Sequence, residues 1–195
     1  MTDYRNAWRT DGTAETLWEN PDDRIVVLAP HGGDIETGTD DAAAYVHKRL
    51  RAAGVEPTTW MYHGFGPDAF EEYHVSSNRI TGERFEKLDA IGDRRFDYAV
   101  SVHMQVEDYV AVGGRIDREV RRDVADALRE RLPTGMEVRW RHDDMKYEGS
   151  APSNVVNWLT RTGDDGLQLE LTPVTAYRFW EYVARAVVDV YAELL

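Results

Sequence analysis

The chain has 195 residues, of which 42% are hydrophobic, so it is long enough to form one domain with a full hydrophobic core. Its net charge of −13 argues against nucleic acid and anionic membranes as partners, and the lack of cysteine excludes disulfides and thiolate chemistry. Lys48, Lys87 and Lys146 are its only lysines, and we interpret this acidic, lysine-poor composition as that of a halophilic host or virus. Because no signal pattern or long apolar run is present, we expect a cytoplasmic protein.

Taken in chain order, segments typical of strands alternate with segments typical of helices. Residues 1–22 are polar with scattered aromatic residues, and we expect an arm packed on a main domain that covers residues 23–195. Strands are predicted at residues 24–29, 56–62, 69–76, 96–102, 137–140 and 167–171. Helices are predicted at residues 40–53, 84–91, 117–131, 154–159 and 176–195, with Thr39 or Asp40 as the cap of the first. This alternation, without internal repeats, predicts a single-domain α/β sandwich.

Three of the predicted strands end in polar residues of related type. Residues 25–40 read IVVLAPHGGDIETGTD, in which an apolar strand leads to His31, a Gly-Gly turn and Glu36, while His103 and Glu170 lie at the ends of two later strands. The carboxyl ends of neighbouring parallel strands lie together, so these four side chains could converge on one crevice. Two imidazoles and a carboxylate form a catalytic zinc set, and a further carboxylate could act as general base. A single histidine at a strand end is more often structural; the ordered set of four indicates chemistry.

Five segments extend this interpretation to a known family. HGGDIETGTD, DAFEEYHVSSNRI, FDYAVSVH, YVAVGG and GLQLELT occur in the order found in the poly-γ-glutamate hydrolase family, which the chain resembles from residue 24 to about residue 190. The resemblance implies a zinc carboxypeptidase-like α/β/α sandwich with a mixed, mostly parallel central sheet. It also implies a zinc ion held by His31, Glu36 and His103, with Glu170 as the catalytic base. Asp34 stands where that family usually has a third glycine.

Amide hydrolysis at such a site needs groups that hold the substrate. An arginine is expected to neutralise the oxyanion or bind a substrate carboxylate, and Arg115 is the first candidate. Each arginine could instead form a surface ion pair, and each asparagine could instead cap a helix. The further candidates for substrate binding are His74, Asn154, Asn157, Arg161 and Arg178. The remaining histidines, which are His47, His63 and His142, are predicted to face solvent.

We therefore expect a zinc-dependent hydrolase that cleaves amide bonds, with the γ-glutamyl linkages of poly-γ-glutamate as its first candidate substrate. One alternative is a metal amidase or carboxypeptidase-like enzyme that acts on small N-acyl amino acids or peptides. The other is a binding domain that keeps the fold without the chemistry. Basic residues along an open cleft would favour the polymer, whereas a small closed pocket would favour a small substrate.

Overall fold

One mixed sheet organises the chain in the computed structural model, which describes residues 12–20 and 23–195. Its strands are β1 (Gly12–Trp18), β2 (Ile25–Gly33), β3 (Thr58–Phe65), β4 (Tyr98–Met104), β5 (Tyr109–Gly114), β6 (Glu137–Arg139) and β7 (Gly166–Leu171). The strand order is β1-β3-β2-β4-β7-β5-β6. The central strands β3, β2, β4 and β7 are mutually parallel, while β1 and β5 pair antiparallel with β3 and β7.

Helices cover both faces of this sheet. They are α1 (Thr39–Ala52), α2 (Ala69–Tyr73), α3 (Glu86–Gly92), α4 (Arg118–Arg131), α5 (Val155–Trp158), α6 (Pro173–Arg178) and α7 (Trp180–Leu194). Short 3₁₀ turns occupy Ser77–Arg79, Gly82–Arg84 and His142–Asp144. Among the described residues, no helix is long and apolar enough to cross a membrane.

The side chains of β2 show why the fold has three layers. All nine residues of β2 are buried, as expected for a parallel strand that is covered on both faces. Ile25 and Val27 point into a core that includes residues of α1, α4 and α7, whereas Val26 and Leu28 point into a second core with residues of α3 and α5. The predicted α/β/α sandwich with a mostly parallel sheet is therefore confirmed.

The structure corrects three predicted elements. Residues 69–76 do not form a strand, because Ala69–Tyr73 is a helix whose first turn carries two glutamates, which favour a helix N-terminus. The closing helix begins earlier than predicted, at Pro173, and is interrupted at Phe179. The residue that precedes α1 as its cap is Gly38 rather than Thr39 or Asp40. Gly38 has a φ of 93°, and a β-carbon there would lie 2.2 Å from a backbone oxygen of α6.

The predicted N-terminal arm is described only in part. Its residues Gly12–Trp18 form the edge strand β1, which pairs antiparallel with β3 along its whole length. Residues 1–11, 21 and 22 lie outside the described part of the chain.

Candidate metal centre

The site lies where β2 separates from β4. The two strands pair from Ile25 opposite Tyr98 up to Leu28 opposite Ser101, and their ladder extends no further. On the other side of β2, the register with β3 shifts between Ala29 and Gly32, around a proline that has no N–H to donate. The last residues of β2 thus do not pair with β4, and a crevice lies between the ends of the two strands.

Three buried donor groups meet in this crevice. His31 Nδ1 lies 2.9 Å from Glu36 Oε1 and 3.1 Å from His103 Nδ1, and His103 Nδ1 lies 3.5 Å from Glu36 Oε2. The exposed fractions of the three residues are between 2% and 4%. Glu36 returns to the crevice because the turn after β2 closes on itself, with the Glu36 amide donating to the His31 carbonyl over 2.8 Å. The structure therefore brings the three predicted metal ligands together.

The outer ring nitrogens of the two histidines have partners of their own, whereas Glu36 Oε2 accepts a 2.9 Å hydrogen bond from the Met104 amide. His31 Nε2 lies 2.8 Å from the carbonyl oxygen of Val75, so this nitrogen carries the proton and Nδ1 is the acceptor in the neutral ring. His103 Nε2 lies 3.4 Å from the Ser77 hydroxyl. A backbone carbonyl on the outer nitrogen is the usual way in which proteins orient a metal-binding histidine.

Burial and charge act in opposite directions on these groups. Burial lowers the pKa of His103, which favours the neutral imidazole that a metal requires. For Glu36, burial opposes ionisation, but the charge of His31 and hydrogen bonds from His103, His31 and His74 hold the pKa well below its usual value. For His31, burial lowers the pKa, but attraction to Glu36 outweighs it and the net pKa is raised. Glu36 is therefore an ionised carboxylate in contact with two imidazoles.

A further histidine borders the same group. His74 follows α2, its ring centroid lies 4.2 Å from that of His31, and its Nε2 lies 3.6 Å from Glu36 Oε1. His31, Glu36 and His74 each offer one ligand atom within 4.8 Å of one another, so they also form a candidate metal set. The side chain of His74 is 30% exposed, whereas that of His103 is 3% exposed. The structure thus presents a His/Glu/His site with two candidates for the third ligand.

Glu170 lies on the neighbouring strand, in register with His103. It is buried, and its Oε1 accepts a 2.7 Å hydrogen bond from Gln168 Nε2. Burial and the negative charge of Glu36 raise the pKa of Glu170 well above its usual value, against the effect of the Gln168 hydrogen bond. Together with the metal set, Glu170 lines a cleft of about 710 Å³.

Gln168 is a site residue that the sequence analysis missed. It lines the cleft, and its Oε1 accepts a hydrogen bond of 2.7 Å from Asn154 Nδ2. The signal was present, since residues two apart on a strand share a face and Gln168 lies two positions before Glu170.

The two predicted asparagines have different surroundings. Asn154 lines the cleft, but its side chain is occupied by Gln168 and by the amide of Val156, for which it is the helix cap. Asn157 is fully buried, and its Nδ2 donates to the carbonyls of Gly149 and Ala151. Asn154 thus acts on the site through Gln168, and Asn157 fixes the loop above it.

The three predicted arginines are not among the residues that line the cleft. Arg115 pairs with Asp164 at 2.5 Å, and Arg161 pairs with Asp97 at 3.0 Å. Arg178 is exposed at the end of α6 and borders a separate surface depression. Direct contact with a substrate in this cleft is therefore not supported for them, because in an acidic chain nearby carboxylates hold two of them as ion pairs.

Of the three histidines predicted to face solvent, one is buried and two are half-buried. β3 runs past its predicted end, so His63 is buried in the sheet, with Nδ1 3.2 Å from Asp40 Oδ2. His47 donates or accepts a 2.9 Å hydrogen bond with Thr59 Oγ1. His142 is partly exposed.

The fold and the site together define a three-layer α/β protein with a candidate His/Glu/His metal centre. The zinc-free apo structure named YNDL has a TM-score of 0.64 and 22% identity, and the match covers 93% of this chain and 86% of that one. A protein of Shewanella denitrificans provisionally assigned as a carboxypeptidase A has a TM-score of 0.56 and 12% identity, over 95% of this chain and 61% of that one.

The family follows from sequence. The family described as Poly-gamma-glutamate hydrolase matches residues 8–186, so the chain belongs to that family. The prophage-derived UPF0714 protein YoqZ of Bacillus subtilis strain 168 is 27% identical over 158 residues, which are 80% of this chain and 52% of YoqZ. YndL of the same strain is 25% identical, over 79% of this chain and 54% of YndL. The chain thus spans about half the length of the curated relatives it matches.

Proposed function

We propose that the protein is a zinc-dependent hydrolase of amide bonds, with His31, Glu36 and His103 as the zinc ligands. The observation that carries this proposal is the meeting of three buried ligand groups: the two Nδ1 atoms of His31 and His103 lie 3.1 Å apart, Glu36 Oε1 lies 2.9 Å from that of His31, and Glu36 Oε2 lies 3.5 Å from that of His103. Tetrahedral zinc with bonds of about 2.0–2.1 Å requires its donors to lie about 3.3 Å apart. The donor set therefore fits the ion, and the zinc-free description of the related YNDL structure supports the choice of zinc.

Glu170 is the proposed general base. Zinc at this site would supply a Lewis acid for the scissile carbonyl and for the attacking water. Glu170 takes the proton from that water and delivers it to the nitrogen of the leaving amine. Gln168 directs the carboxylate by its 2.7 Å hydrogen bond to Oε1, and burial favours the return of the proton because it raises the pKa of Glu170.

His74 is the proposed substrate-binding group. Among the described residues, those that line the cleft include neither arginine nor lysine. A nitrogen donor beside the metal set is instead offered by His74, whose side chain is 30% exposed. It can donate a hydrogen bond to an oxygen of the substrate while its ring packs against Phe70 at a centroid distance of 4.6 Å. The position of His74 suits this role, because its ring is close to Glu36 and its side chain is still accessible to a substrate.

Membership of the family supports γ-glutamyl linkages as the substrate class. A second candidate is the hydrolysis of small N-acyl amino acids or peptides. A site for a polymer of carboxylates is expected to present basic side chains, and among the described residues no arginine or lysine lines the cleft. A binding domain without activity is less well supported, because the ligands and the base all reach one cleft.

The test is hydrolysis by the zinc-loaded protein of poly-γ-glutamate and of γ-glutamyl dipeptides. We expect Glu170→Gln to keep its zinc and to lose about 10²–10⁴-fold in kcat, the usual contribution of a positioned general base. Glu148→Gln is the matched control, because Glu148 also lines the cleft but is hydrogen-bonded to Ser150. Full activity of Glu170→Gln, or a zinc-loaded wild type without activity on any of these substrates, would contradict the proposal.

A further inference from the structure

Large apolar side chains are concentrated at the mouth of the cleft. The large hydrophobic residues that are exposed in the described chain are Phe70, Val106, Tyr147, Val174, Tyr177 and Tyr182. The first three line the cleft and are 50%, 87% and 55% exposed; we call them the apolar rim. Exposed apolar groups that gather around a polar, concave site usually mark a binding surface.

Tyr147 is held in place by the catalytic machinery. Its φ is 55°, in the left-handed region that residues other than glycine seldom adopt. Its carbonyl accepts a 3.1 Å hydrogen bond from Gln168 Nε2, the same nitrogen that donates to Glu170. Gly149 packs so closely on Gln168 that a β-carbon there would lie 2.8 Å from the Gln168 side chain. The backbone that carries the Tyr147 ring is therefore fixed relative to the proposed base.

The charges around the cleft disfavour a polyanion. Apart from the histidines, the charged residues that line it in the described part of the chain are Glu36, Glu148 and Glu170. A carboxylate next to the scissile amide would meet these groups at a cost in affinity, since no arginine or lysine lines the cleft among residues 12–20 and 23–195. An aromatic ring would instead meet Phe70 and Tyr147, with the favourable contacts that pairs of aromatic side chains make.

Resting on the proposed function, we propose that the cleft selects γ-glutamyl amides whose amine side carries an apolar or aromatic group. The apolar rim receives that group, and Tyr147 is the residue that determines this specificity. With the amine-side group at the apolar rim, the glutamyl unit lies on the opposite side of the scissile bond. The leaving amine is therefore the part of the substrate that the rim selects.

The test compares γ-glutamyl-phenylalanine with γ-glutamyl-glutamate, which share the glutamyl unit and differ in the flanking side chain. Binding is measured by titration calorimetry with zinc-loaded Glu170→Gln, so that no turnover interferes. We expect the phenylalanine compound to bind about tenfold more tightly, a factor equal to about 1.4 kcal/mol. Adding Tyr147→Asn should reduce this ratio to about threefold or less, since asparagine removes the ring yet tolerates a positive φ.

Tyr177→Asn is the matched control, because Tyr177 is 56% exposed but lies on α6 and does not line the cleft. It should leave the ratio unchanged. Equal affinities, tighter binding of γ-glutamyl-glutamate, no binding of either compound, or a ratio that Tyr147→Asn leaves intact would overturn the inference. Hydrolysis of the two compounds by the wild-type protein distinguishes failure of this specificity from failure of the proposed hydrolase function. A protein that prefers the phenylalanine compound but cleaves neither overturns the hydrolase alone, and one that cleaves γ-glutamyl-glutamate faster overturns the specificity alone.

Discussion

Replacement of His103 by alanine should abolish stable zinc binding, whereas replacement of His74 should not. Both imidazoles lie near Glu36, but His103 Nδ1 lies 3.1 Å from His31 Nδ1 and 3.5 Å from Glu36 Oε2, and the His103 side chain is 3% exposed. His74 Nε2 is 3.6 Å from Glu36, and its side chain is 30% exposed. We therefore propose His103 as the third ligand and an outer position for His74.

The difference between the two variants should be large. Structural zinc sites with four protein ligands bind with about 10–16 kcal/mol, so one ligand accounts on average for roughly 2.5–4 kcal/mol. Loss of His103 should thus weaken zinc binding by about 10²–10³-fold. Replacing a residue that contacts a metal ligand without binding the metal lowers metal affinity by roughly 10–100-fold. Because His74 is partly exposed, we expect His74→Ala to lower zinc affinity by about tenfold or less.

Zinc affinity would be measured at pH 7 by competition with a chromophoric chelator, together with the metal content of each purified variant. His47→Gln is the control for loss of a histidine elsewhere, because His47 bonds to Thr59 and is not among the residues that line the cleft. Thermal unfolding of each zinc-free variant shows whether the fold is retained. If His74→Ala loses zinc and His103→Ala keeps it, His74 is the third ligand. If neither variant changes affinity, the metal centre is not the one described above.

Two further predictions concern stability and are checked by urea unfolding. Gly38→Ala should destabilise the fold by more than Gly54→Ala: both glycines have a positive φ, which costs alanine about 1–2 kcal/mol, but only at Gly38 would a β-carbon also lie 2.2 Å from the carbonyl of Ala176. Equal losses of stability in the two variants would show that the backbone at Ala176 moves away from the new β-carbon at little cost. Tyr191→Phe should raise the free energy of unfolding by up to about 1 kcal/mol, because the Tyr191 hydroxyl is buried without a hydrogen-bond partner among the described residues. A clear loss of stability would show that this hydroxyl has a partner, for example a buried water.

That the proposed ligands and base lie close together could be predicted, because the positions of three of the four residues follow from sheet geometry. His31, His103 and Glu170 each lie at the carboxyl end of an apolar strand, and neighbouring parallel strands bring such ends together. Their order along the chain gave no indication of which strands are neighbours. The order β2-β4-β7 supplies that information and leaves no strand between the three side chains.

Contacts between elements far apart in the chain could not be predicted in this way. His63 was expected to face solvent, but β3 continues through it, and its partner Asp40 lies in the first turn of α1, 23 residues earlier in the chain. Arg115 followed a Gly-Gly pair, as a substrate-binding residue could, yet its partner Asp164 lies 49 residues later in the chain. In both cases the deciding contact depends on tertiary packing, which local periodicity does not contain.

The same reasoning explains why family membership indicates the chemistry of this protein better than its substrate. Three of the four proposed ligand and base residues lie on strands, and Glu36 is held by the tight turn after β2, so the surrounding loops can change without moving them. The residues that would touch a substrate beyond the scissile bond lie instead in the connections between strands, with Phe70 on the short helix α2 and Val106 and Tyr147 in loops. In this chain the loops bring aromatic, aliphatic and acidic side chains to the cleft. They place neither arginine nor lysine there among the described residues, so recognition of a long chain of carboxylates has no evident electrostatic basis.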